Sequence, residues 1–77
     1  MNRNDPEIRY VVCIRNTGYE TSLELRKIYQ AISDPTATAQ GLVRVIDESG
    51  EDYLYPNTYF VEIQVPAAVE KVFSQAA

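Results

Sequence analysis

Apolar residues in this chain come in short bursts, each closed by a glycine, a proline or a polar turn. Residues 1–8 carry almost no apolar pattern and are expected to be a flexible lead-in. The character changes at Arg9. The run Arg9 to Ile14 is β-branched and aromatic, which predicts a mostly buried strand, and Asn16-Thr17-Gly18 ends it at a residue that accepts positive φ. Leu42 to Ile46 is a second such run. Glu48-Ser49-Gly50-Glu51 then connects it to Asp52–Tyr55, a strand short enough to pair straight back as a hairpin. Pro56-Asn57-Thr58 interrupts the ladder because proline has no N–H to donate. From Phe60 to Val65, Phe60, Glu62 and Gln64 alternate with Val61, Ile63 and Val65, the pattern of a half-exposed strand.

Two segments read as helix or nearly so. In the last one Pro66 suits a first turn, and Val69, Val72 and Phe73 recur at helical spacing, so a short helix is predicted from Ala67 to Ala76. The stretch Thr21 to Ser33 supports two assignments. Leu25, Ile28, Tyr29 and Ile32 share a helical face, with Ser22 as a cap and Asp34-Pro35 as a stop. Yet Leu23 and Leu25 alternate with polar neighbours, and Ile28, Gln30 and Ile32 form a second period-two set. Asp34 to Gln40 is a small polar connector with room for one helical turn.

Composition narrows the function by exclusion. The 77 residues, 45% hydrophobic and 23% charged, specify one small soluble domain, which buries only roughly 60% of its unfolded surface and has few side chains to spare for a site. Histidine and tryptophan are absent and Cys13 is the only cysteine, so neither a Ser-His-Asp nor a Cys-His enzyme is expected, and no disulfide forms within the chain. Cys13, flanked by apolar residues, reads as a small buried hydrophobe. No cofactor, membrane span or signal core is expected, and a reducing cytoplasm is the expected location. The net charge of −4, with the basic residues scattered, argues against direct nucleic-acid binding. Asp47 and Asp52 stand on the two arms of the hairpin, but no further oxygen ligands recur at a fixed spacing, so no metal is expected.

The hairpin and its sequel resemble part of the SH3-like small β-barrel. The residues that carry the resemblance are Leu42 to Asp47, Glu48 to Glu51, Asp52 to Tyr55 and Pro56-Asn57-Thr58-Tyr59-Phe60, the last similar to that fold's Pro-x-x-Tyr turn. The resemblance implies a mainly β fold, a barrel of about five strands over residues 9–65, and the helical segment at 66–77 follows it. Lys27 to Ser33 then becomes its second strand. Tyr10 to Ile14, Asn16 to Tyr19, Leu23 to Tyr29 and Asp47 to Pro56 also resemble short bacterial proteins of unassigned function. The aromatic set of the peptide-binding members is largely replaced here, with Leu42-Val43 where their tryptophan stands, and only Pro56 and Tyr59 carry over.

Six tyrosines are a large share of so small a chain. Tyr10, Tyr29 and Tyr55 are expected in or beside the core, and Tyr19, Tyr53 and Tyr59 at the surface. Tyrosine joins contact area to a polar tip, so Tyr19, Pro56 and Tyr59 are the candidate partner-binding surface, with the acidic hairpin of Asp47, Glu48, Glu51 and Asp52 nearby. The expected function is a non-catalytic protein-interaction module whose partner is another protein or a second copy. The alternatives are an acidic regulator of a nucleic-acid-binding protein or enzyme, and an accessory enzyme subunit.

Overall fold

The computed structural model describes residues 8–47 and 49–74. Its strands are β1 (Ile8–Cys13), β2 (Ile28–Ile32), β3 (Leu42–Ile46), β4 (Asp52–Pro56) and β5 (Phe60–Ile63). A one-turn helix, α1 (Pro35–Ala39), joins β2 to β3; a 3-10 turn (Asn57–Tyr59) joins β4 to β5; and α2 (Ala67–Ser74) follows β5. All neighbours in the order β4-β3-β2-β1-β5 are antiparallel. The fold is therefore mainly β, an open five-stranded sheet with a short helix after it. No ladder joins β4 to β5 among the described residues, so the sheet is not closed as a barrel would be. The expected lead-in, apart from Ile8, and the predicted helix end at 75–76 lie outside the described residues; Ile8 itself opens β1.

Register builds the core. Val11 faces Tyr29, Ala31 faces Val45, Val43 faces Tyr55 and Cys13 faces Phe60, so the pleat sends these side chains to one side of the sheet. They form one buried cluster, completed by Leu23 from the connection between β1 and β2. The Tyr29 and Phe60 rings meet edge to face with centroids 6.1 Å apart. Cys13 is fully buried, and its thiol donates to the Arg15 carbonyl at 3.2 Å. In β5 it is Phe60, not the valine set, that enters the core; Val61 faces Val12 on the opposite side and stays exposed.

The ambiguous segment resolves as loop then strand. Residues 28–32 are flanked by β1 and β3, so both edges of β2 form ladders, and these outweigh the local helical pattern. The join carries a β-bulge: Arg26 N–H donates to the Cys13 carbonyl at 2.7 Å and Cys13 N–H to the Lys27 carbonyl at 3.0 Å, so two residues oppose one. Arg26 holds φ 66° there, a position that favours glycine; a side-chain-bearing residue pays about 1 kcal/mol for it.

At the other boundaries local chemistry suffices. Asp34 caps α1, accepting from Ala37 N–H at 3.1 Å, and Pro35 opens the first turn. In α2, Val69 and Phe73 are half-buried and the Phe73 ring lies 5.3 Å from that of Tyr10. Val72, expected on the same apolar side, is 67% exposed.

Candidate functional site, a tyrosine cluster at one end of the sheet

The connection between β1 and β2 folds back over the sheet instead of extending into solvent. Tyr19 N–H donates to the Asn16 carbonyl at 2.8 Å across a turn in which Gly18 takes φ 85°. Asn16 Nδ2 donates to the Leu23 carbonyl at 3.0 Å, and Glu24 N–H donates to the Tyr29 hydroxyl at 3.0 Å. Leu23 then serves as the loop's buried anchor.

That loop places Tyr19 between two other rings. Its centroid is 5.1 Å from Tyr55 and 6.0 Å from Tyr59, both edge to face. The Tyr59 hydroxyl donates to the Thr17 carbonyl at 2.8 Å, and the Tyr59 carbonyl accepts from Ile14 N–H at 2.8 Å. The Arg15 guanidinium sits 5.8 Å from the Tyr59 ring centroid, within cation–π range. Two candidates, Tyr19 and Tyr59, are thus brought together. Tyr19 is 36% exposed, whereas Tyr59 is more buried than expected because it also packs on the core. Pro56 contributes through the backbone, pairing with Leu42 and starting the 3-10 turn that carries Tyr59. Arg15 and Tyr55 complete the cluster, and no local pattern marks them, because it takes the folded loop to bring their rings and charge together.

The acidic hairpin is built differently. Asp47 Oδ1 accepts from Ser49 N–H at 2.8 Å and from the Ser49 hydroxyl at 2.5 Å, which holds its carboxyl below the usual range. Glu51 accepts from the Tyr53 hydroxyl at 2.5 Å; that bond and the nearby negative charge push Tyr53 up to about 12. Arg44 reaches Asp34 at 2.7 Å and Asp52 at 3.0 Å, lowering the pKa of Asp34 and raising its own. Each described acid of the hairpin therefore has a local partner; Glu48 lies outside the described residues. Asp52 and Pro56 stand at opposite ends of β4, about 13 Å apart at the usual rise per residue. The later part of the loop does border the hairpin, across a shallow polar cleft that Glu24, Lys27, Asp47 and Ser49 help to line.

Comparison with known proteins returns no matching family model, curated protein or solved structure. Any functional reading rests on the site alone.

Proposed function

We propose that this chain is a non-catalytic, cytoplasmic protein-interaction module on an SH3-like barrel, binding another protein through Tyr19, Pro56 and Tyr59. The observation that carries the reading is the edge-to-face Tyr19–Tyr59 pair, held by a core-anchored loop and by the Tyr59 hydroxyl. Rings held in advance lose little conformational entropy when a partner covers them. The barrel reading is supported by β5 lying against β1 in a sheet that otherwise runs in sequence order, and by the 3-10 turn between β4 and β5.

The test is capture from a native cell extract by the tagged full chain and by its Tyr19→Ala variant, with the fold of each checked by circular dichroism. Tyr19 is chosen because it is the more exposed of the pair. A dominant captured protein that the folded variant no longer retains supports the reading. Equal retention by both sinks the site.

A further inference from the structure

The end of the sheet beside Tyr59 carries two arginines that have no carboxylate partner among the described residues. Among the described residues, Arg9 and Arg44 have carboxylate partners, whereas Arg15 and Arg26 form no ion pair. Both are exposed, and the bulge bond from Arg26 N–H to the Cys13 carbonyl puts them at the same end of the sheet. Residues 14–27 carry Arg15, Arg26 and Lys27 against Glu20 and Glu24, so this connection is weakly positive on a chain of net charge −4. The same end exposes Ile14 to 54% and Leu25 to 45%, although Ile14 is tied by its N–H to the Tyr59 carbonyl. Backbone strain gives an independent indication. Arg26 occupies a left-handed bulge position that glycine would fill with less strain, so its side chain stands there at a cost in backbone energy.

From these features we infer that the surface formed by Ile14, Arg15, Leu25, Arg26 and Tyr59 docks an acidic peptide segment of the partner protein, its carboxylates on the two arginines and its apolar side chains on Ile14 and Leu25. This rests on the interaction-module reading and names the chemistry of the partner. Guanidinium groups recognise carboxylates through paired N–H donors, and an adjoining apolar patch supplies the contact area that exposed ion pairs lack. A nucleic-acid strand fits less well, since two arginines displace few counterions and the rest of the chain repels phosphate.

The probe is a labelled octapeptide of alternating Glu and Leu, titrated into the isotopically labelled full chain. Amide shifts are expected at Ile14, Arg15, Arg26 and Tyr59, with affinity falling as salt rises from about 50 to about 300 mM. The decisive variant is Arg26→Gly, which relieves the strained φ and so folds at least as well. It should bind the peptide about three- to fivefold more weakly, the share of one exposed charge pair. The double variant Arg15→Glu, Arg26→Glu should show no binding.

Unchanged affinity in Arg26→Gly, equal binding of a Lys/Leu octapeptide, shifts confined to another face, or tighter binding of oligo(dT) would each overturn the inference. Capture from extract separates the two levels of the argument. If Tyr19→Ala loses the captured protein while the double arginine variant keeps it, the acidic-partner inference fails and the interaction-module reading stands. If neither change matters, both fail.

Discussion

Two connections of the sheet, one short and one long, are held by opposite means. Between β3 and β4 the turn is self-contained: Asp47 accepts from Ser49, Gly50 N–H donates to the Asp47 carbonyl at 3.0 Å, and Gly50 takes φ 89°. Between β1 and β2, residues 14–27 depend on distant parts of the chain. Leu23 is buried among the strands, and the Tyr59 hydroxyl reaches Thr17 across 42 positions of sequence. The hairpin's turn is held by its own residues, while the loop is an extension of the core. This difference explains why the loop, despite its length, presents Tyr19 in one defined place.

The largest effect is expected from Leu23→Ala. Emptying a fully buried leucine site should destabilise the whole protein by about 3 kcal/mol. In a domain this small that lowers the melting temperature by about 10–20 °C, read by thermal circular dichroism. A loop independent of the core would show almost no change.

Next in size is Tyr59→Phe, which removes the bond to Thr17 and should cost about 1 kcal/mol. Hydrogen exchange sharpens the contrast here. Amides of Gly18 and Tyr19 should exchange faster, while those of Ser49 and Gly50 keep the wild-type rate.

A smaller effect is expected at Arg44, which ties the cap of α1 to β4 through Asp34 and Asp52. Because the folded pKa of Asp34 is depressed, its contribution is present above the unfolded value near about 4 and is lost as pH falls through the folded one. Acid melting curves of Arg44→Gln should therefore depend less on pH in that window than those of wild type.

The smallest expected effect on the fold belongs to the hairpin bond between Tyr53 and Glu51. Ultraviolet titration should resolve one tyrosine near 12, returning toward about 10 in Glu51→Gln. The folded pKa is raised, so this contribution is complete below about 10 and disappears as pH climbs through 12. The loop amides should not respond.

Legibility follows the same division. The hairpin could be read because Asp47, Ser49 and Gly50 act within a few residues of one another, and the Asp34 cap and the Pro66 helix start are equally local. The helical reading of Thr21 to Ser33 loses to ladders on both sides of β2, which no window of that length contains. Within the candidate site, tyrosine content pointed to Tyr19 and Tyr59, but Arg15 and Tyr55 join them only through the folded loop. That Arg15 and Arg26 form no ion pair among the described residues is likewise legible only in space, where Arg9 and Arg44 meet their carboxylates.

Sequence alone determined the β-rich class, the strand-forming runs, the turns and the absence of histidine, because propensity, turn chemistry and composition act over a few bonds or over none. Tertiary structure decided the strand order, the inward turn of Phe60 over Val61, the clustering of the rings and the strained Arg26. Each of these depends on pairing or packing between residues far apart in the chain, where the free energy of the whole sheet overrides local preference.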